Sequence, residues 1–196
     1  MDVMQEYADK KKTPEQIAAC VESGWSCCAD ISGAIPPVLA DALGKRAAAG
    51  DIQDVTCHTL LDVTPLGTLS SEAYPNITPV TWFSGGGLRK AANEGRCDIM
   101  PCYYHDAPGL FERYIDIDAF FAQVSPMDKH GYFSTSLSGS CSAAMIRKAR
   151  HIYLEVNDQL PRVLTAPQIH ISQVDGLCET SHALPIVPPV QIDEIS

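Results

Sequence analysis

Short apolar runs alternate with segments of helical periodicity along almost the whole chain, and this alternation narrows the fold more than any other feature of the sequence. Residues 25–31 are apolar at nearly every position, and Pro36-Pro37 then opens a segment with Leu39, Leu43 and Ala47 at helical spacing. Gly50-Asp51 breaks that helix, and residues 55–61, β-branched in part, predict a second strand. Residues 80–83 predict a third, and residues 84–87 lead into a helix over 88–94 that Gly95 closes. Residues 97–104 are apolar apart from Pro101, which marks a strand end. Residues 118–124 form a near-continuous hydrophobic run, the pattern of a strand buried on both faces of a parallel sheet. Ala143, Ile146 and Ala149 then define a helix, residues 151–156 a further strand, and residues 169–174 one more. Nearer the start, Thr13-Pro14-Glu15 supplies an N-cap, a proline at the first helical position and an acidic first turn for a helix that ends near Gly24. The expectation is an α/β fold in three layers, a mostly parallel sheet with helices on both faces. Ligands of such folds bind outside the carboxyl ends of the strands.

The chain has 196 residues, enough for one well-packed domain. Hydrophobic residues make up 45% and charged residues 19%, a balance that argues against disorder. A formal net charge of -10, with no clustered Lys and Arg surface, excludes a nucleic-acid footprint. Residues 1–12 are polar and charged, unlike a signal peptide, and no run approaches the ~20 apolar residues of a membrane span. A cytoplasmic location follows as an expectation, with the eight cysteines as reduced thiols. Cys97, Cys102 and His105 lack a second ligand pair at zinc-site spacing, so no metal is expected. The Pro-rich stretch from residue 184 reads as a linker. The expected organisation is one domain over 1–183 and a linker over 184–196 toward a further domain.

The loop Ser125-Pro126-Met127-Asp128-Lys129-His130-Gly131-Tyr132 follows the most apolar strand, where active-site loops sit in such folds. Asp128 and His130 could act as an acid/base pair, yet nothing nearby supplies a nucleophile with an orienting third group. Turn chemistry by itself accounts for Pro126 and Gly131. Tyr103, Tyr104 and His105 follow another strand and could reach the same place. Arg89, Arg96, Arg147 and Arg162 are candidate forks for carboxylate or phosphate, with surface charge as the plain alternative. Ser84-Gly85-Gly86-Gly87 has neither the Gly-x-Gly-x-x-Gly spacing nor a P-loop lysine, and a tight turn explains it. Gly33 alone after the first strand ranks a dinucleotide oxidoreductase low. Glu155 and Asn157 close a strand, and Glu155 is not nominated as a catalytic group.

The run from Asp118 to Ser134 resembles the signature loop of acetyl-CoA hydrolases and of 4-hydroxybutyrate and butyryl coenzyme A (CoA) transferases. His151-Ile-Tyr-Leu-Glu-Val-Asn157 with Pro161-Arg162, Ile169-His170-Ile171-Ser172, and Arg96-Cys97-Asp98-Ile99-Met100-Pro101 agree with the same family in order. The resemblance implies a CoA-transferase-like fold and an enzyme of two related halves, with the CoA thioester and the acceptor acid meeting between them. It also implies that the catalytic glutamate lies in the second half, for no residue here matches it. On this basis the chain is expected to be the N-terminal half of a transferase moving CoA between an acyl-CoA and a short-chain carboxylate of the acetate, butyrate or 4-hydroxybutyrate class. The alternatives are an acetyl-CoA hydrolase half and a catalytically silent assembly module. Ser125, Pro126, Asp128, His130, Gly131, Tyr132, Tyr104 and His105 are then the expected cleft residues. No permanently bound cofactor is implied, CoA entering as part of the substrate. The implied partners are the complementary C-terminal half, the acyl-CoA and carboxylate, and further copies of the chain.

Overall fold

The computed structural model describes residues 2–63, 66–86, 88–186 and 189; Gly87 of the glycine run and most of the expected linker, 187–188 and 190–196, lie outside the described residues. The charged N-terminus forms a helix that periodicity did not announce, α1 (Val3–Lys10), capped by the Asp2 carboxylate on the Met4 N–H. Val3 and Tyr7 lie four apart and meet the core, with the Tyr7 ring stacked 6.1 Å from Phe133. Thr13 caps α2 (Pro14–Ala18) as its sequence predicts, and the Gln16 side chain closes the box by accepting the Thr13 N–H. There follow β1 (Ser26–Ile31), α3 (Pro37–Ala48), β2 (Val55–Leu60), β3 (Ile77–Thr81), α4 (Arg89–Asn93) and β4 (Asp98–Ile99). The second part of the chain holds α5 (Ala107–Tyr114), β5 (Ala119–Val124), β6 (Tyr132–Ser134), α6 (Ser142–Lys148), β7 (His151–Asn157), β8 (Gln168–His170) and β9 (Gly176–Thr180).

Seven strands form one parallel sheet in the order β4-β3-β2-β1-β5-β7-β9, and β6 and β8 pair antiparallel beside it. The single strand expected over 169–174 is instead β8, a 3-10 turn at Ile171–Gln173, and then the separate strand β9. The turn forms because the His170 ring accepts the Ser172 N–H while the Gln173 side chain accepts the His170 N–H. Both faces of the sheet are covered. Phe120, Ala122, Val124, Ile152 and Leu154 face α5 and α6, meeting Phe111 and Met145, while Ala119, Phe121 and Tyr153 join the core that holds Ile17, Leu39 and Leu43 of α2 and α3. The period-2 alternation of strand side chains makes this three-layer packing possible. Among the described residues no helix is long and apolar enough to cross a membrane.

The chain runs from central β1 outward to β4, then returns to β5 on the other side of β1. That reversal splays the loops after β1 and β5 apart and opens a crevice at the carboxyl ends of the strands.

Candidate functional site

At this switch point an open cleft of about 410 Å³ is lined by Ser32 and Gly33 after β1, Asp62 and Val63 after β2, Gly86 and Leu137. That volume lies within the range of ligand sites. Pro185 and Ile186 close one side. A second lobe continues past Ser32 and Gly33 to Gln123 of β5 and to His182.

Backbone strain concentrates here. Ser32 (φ 53°) and Leu61 (φ 49°) line the cleft, and Ser136 (φ 53°) precedes Leu137; all three occupy the left-handed region without being glycine or asparagine. Such conformations persist only where surrounding structure imposes them. For Leu137 the surroundings are visible. The Asp30 carboxylate accepts the hydroxyls of Ser138 (2.6 Å) and Ser142 (2.7 Å), fixing the segment that lays Leu137 against Gly33. Burial pushes the Asp30 carboxyl up to about 6, against the lowering effect of those hydroxyls and the Ile31 N–H.

Asp62 is the distinctive polar group of the cleft. It is 1% exposed, and its Oδ2 accepts the Thr59 hydroxyl at 3.0 Å, while Oδ1 has no partner among the described residues. Burial raises its carboxyl to about 6, partly opposed by the Thr59 hydrogen bond. Gly85 lies directly on its backbone, where a Cβ would come within 2.5 Å of the Asp62 carbonyl oxygen. Only glycine allows that approach.

On the other lobe, Gln123 donates to the Gly33 carbonyl at 3.2 Å and ties the β5 end to the loop after β1. Asn157 donates to Gln123 and to the His182 carbonyl. Glu155, fully buried on β7, accepts the N–H groups of Val38 (2.9 Å) and Leu39 (3.1 Å), capping α3 across the sheet, and meets His182 Nε2 at 2.9 Å. Burial pushes its carboxyl above the ordinary value, against the pull of His182 and the helix N–H groups. Glu155 therefore serves architecture: it neutralises the α3 N-terminus and anchors the segment leading to residue 186.

The eight residues expected at a cleft between two halves sit outside this switch-point cleft. Asp128 accepts the backbone N–H groups of His130 and Tyr132 at 2.9 Å each and pairs with Arg162 at 2.8 Å; Arg162 also donates to the Tyr132 carbonyl and to Gln168. Burial is the largest single influence and raises the Asp128 carboxyl, but those two N–H groups, the guanidinium and His130 together outweigh it and hold the carboxyl below its ordinary range. Gly131 turns at φ 87°, where a Cβ would come within 2.8 Å of the His170 ring. Ser125 is buried, its hydroxyl accepting the Ser134 N–H. Pro126, His130 and Tyr132 are exposed around this β6–β8 unit. Tyr104 and His105 are exposed beyond β4, with His105 stacked on Tyr103 at 5.7 Å. None of the eight lines either lobe of the switch-point cleft. Of the candidate arginines, Arg96 pairs with Glu94 and Arg147 with Glu112, while Arg89 is exposed. No group of His, Cys, Asp and Glu among the described residues could hold a metal ion. Sequence reasoning passed over Ser32, Leu61, Asp62, Leu137 and His182. A signal existed for Asp62, an acid directly after an apolar strand.

The family model of the acetyl-CoA hydrolase/transferase N-terminal domain matches residues 1–188. The succinyl-CoA:cyclohexane-1-carboxylate CoA transferase of Geobacter metallireducens is 34% identical over 95% of this chain and 42% of its own length. The butyryl-CoA:acetate CoA-transferase of Anaerostipes caccae is 33% identical over 91% of this chain and 41% of its own length. The crystal structure of RipA from Yersinia pestis superposes with a TM-score of 0.91 at 33% identity, over 99% of this chain and 47% of that one. The 4-hydroxybutyrate CoA-transferase of Porphyromonas gingivalis shares the fold, with a TM-score of 0.72 at 19% identity. The chain thus spans less than half the length of these relatives. The match over nearly its whole length shows that it belongs to the acetyl-CoA hydrolase/transferase family, as the N-terminal domain.

Proposed function

We propose that this chain is the N-terminal half of a cytoplasmic CoA-transferase that moves CoA between an acyl-CoA and a short-chain carboxylate, the catalytic glutamate coming from a second half joined through residues 184–196. The observation that carries the proposal is the switch-point cleft, where strained Ser32 and Leu61 and the unpartnered Asp62 oxygen converge beside Ile186. Relatives that are CoA transferases, and of which this chain spans about 42% and 41%, support it. A carboxylate nucleophile suits CoA exchange because an activated covalent intermediate splits one difficult transfer into easier steps. In this scheme the first half supplies the floor of the reaction space. Ionised Asp62 accepts a hydrogen bond from substrate, and protonated Asp62 donates one; its carboxyl near 6 makes both available around neutral pH. Exposed Pro126, His130 and Tyr132, together with Tyr104 and His105, remain proposed contacts to substrate or to the second half from the rim. CoA enters and leaves as substrate, no cofactor staying bound.

The test is CoA exchange between an acyl-CoA and a carboxylic acid, run with the chain alone and with a C-terminal half of the same family. Activity is expected only in the mixture, and Asp62→Ala lowers kcat/KM there by about 10- to 100-fold, the scale of one buried hydrogen bond to a charged group. Activity of the chain alone locates a nucleophile within these residues and overturns the division of labour. Silence with the complex formed favours a non-catalytic assembly module.

A further inference from the structure

Thr59 and Asp62, hydrogen-bonded to each other, line two different spaces. One is the open cleft, which Asp62 lines. Beside it a small, narrow-mouthed cavity lies between β1, β2 and α3, lined by Thr59 itself and by Ala29, Leu39, Leu43, Leu66, Thr68 and Phe121. The two spaces adjoin a second time at the start of α3, where Pro36 faces the cavity while Ile35 and Pro37 face the cleft. The cavity has room for one water-sized group and its lining is almost wholly apolar. A buried water needs two to four polar partners. Among the described residues Thr68 Oγ1 is the buried side-chain oxygen of the lining left without a partner, since the Thr59 hydroxyl is spent on Asp62. A space of this kind stays dry and takes an apolar group of methyl size.

We propose that this cavity is a chain-length pocket: it receives the terminal methyl of a straight acyl group whose carbonyl end lies in the cleft, the Asp62 side chain turning off Thr59 to admit it. The proposal rests on the acyl-transfer function above and adds a substrate class to it, unbranched acyl chains whose length is measured against Leu39, Leu43 and Phe121. Lodging or refusing one methylene in such a pocket is worth about 10- to 200-fold in kcat/KM. A branched or hydroxylated terminus fits worse, because the space is small, its lining is apolar and the single hydroxyl of Thr68 is nearly covered.

Two variants move the pocket in opposite directions. Ala29→Val adds two methyl groups into it from β1, where a β-branched residue suits the strand, and Leu43→Ala enlarges it from α3. In exchange assays with the C-terminal half and straight acyl-CoAs of increasing length, the optimum is expected to shift about one carbon shorter in Ala29→Val and at least one carbon longer in Leu43→Ala. The ratio of rates on adjacent chain lengths changes roughly 10-fold each way. Destabilisation alone lowers all rates together and leaves those ratios in place. Unchanged ratios in both variants, each shown folded by circular dichroism, overturn the proposal while leaving transferase activity standing.

An independent readout uses the chain alone. Dissolved xenon-129, too large for the wild-type cavity, is expected to bind Leu43→Ala, where the space is enlarged, but neither the wild type nor Ala29→Val, and straight-chain carboxylates displace it from Leu43→Ala more strongly as they lengthen. If the mixture shows no exchange at all, the transferase function fails, and this displacement still decides the pocket: length-dependent displacement supports it and none refutes it.

Discussion

At the scale of single residues, two carboxyl groups buried at the carboxyl edge of the sheet contribute a distinct pH dependence. Asp30 and Asp62 each keep their proton up to about pH 6 in the fold, whereas an unfolded aspartate loses it near 3.8. Between those values the folded state binds more protons at these two carboxyls than the unfolded one, so their contribution to stability falls as pH rises from about 4 to 6 and then levels off, while buried His58, held down to about 4, contributes in the opposite sense. Asp30→Asn keeps an oxygen for Ser138 and Ser142 but cannot ionise. Urea unfolding at pH 4.5 and pH 8 should therefore show a smaller difference for the variant than for the wild type; equal differences would mean that Asp30 titrates normally. The same residues explain why the cleft was hard to read from sequence. Ser32, Leu61 and Ser136 take a left-handed conformation that sequence preference assigns to glycine or asparagine, so strain imposed by the tertiary structure leaves no local mark. Asp62 did leave one, an acid at the end of an apolar run.

Elements built from strong periodicity were legible, as was α2 from its Thr13 cap, whereas α1 and the turn after β8 were not. The runs at residues 25–31, 55–61, 118–124 and 151–156 all became sheet strands because both of their faces are buried. α1 has a stripe of only Val3 and Tyr7, and the 169–174 run is bent by the His170 and Gln173 side chains, so neither follows from period alone. The Asp128 loop is held as an element by Arg162, which reaches both β6 and β8. Arg162→Ala should speed amide hydrogen exchange at His130 and Tyr132 about 10-fold or more while leaving β5 and β7 protected, a pattern that hydrogen exchange by NMR resolves. Uniform acceleration would assign Arg162 to global stability instead. The trans-cap on α3 makes a different forecast. Glu155→Gln removes the charge facing the Val38 and Leu39 N–H groups and should cost about 1–2 kcal/mol in denaturant unfolding. The His182 ring should also lose protection from solvent, which its proton shifts report.

On the scale of the whole molecule, the carboxyl edge of the sheet carries a row of exposed apolar side chains: Val63 after β2, Phe83 after β3, Met100 after β4, then Leu137 and Ile186. Apolar surface gathered on one edge invites a partner. Sedimentation of the chain alone should show concentration-dependent association that Phe83→Ser weakens, and a monodisperse monomer at all concentrations would mean that this rim is covered from within. The strand order has a further consequence, in time. β1 sits at the centre of the sheet, yet one of its two partners is β5, and Ser26 donates to the carboxylate of Asp118, 92 residues further along the chain. At about 5–20 residues per second of synthesis, β1 spends roughly 5–20 s with one backbone edge unpaired. Until β5 emerges, the strand that ends as the most protected of the sheet is its most vulnerable, and the nascent chain is open at its middle to any other strand that arrives first.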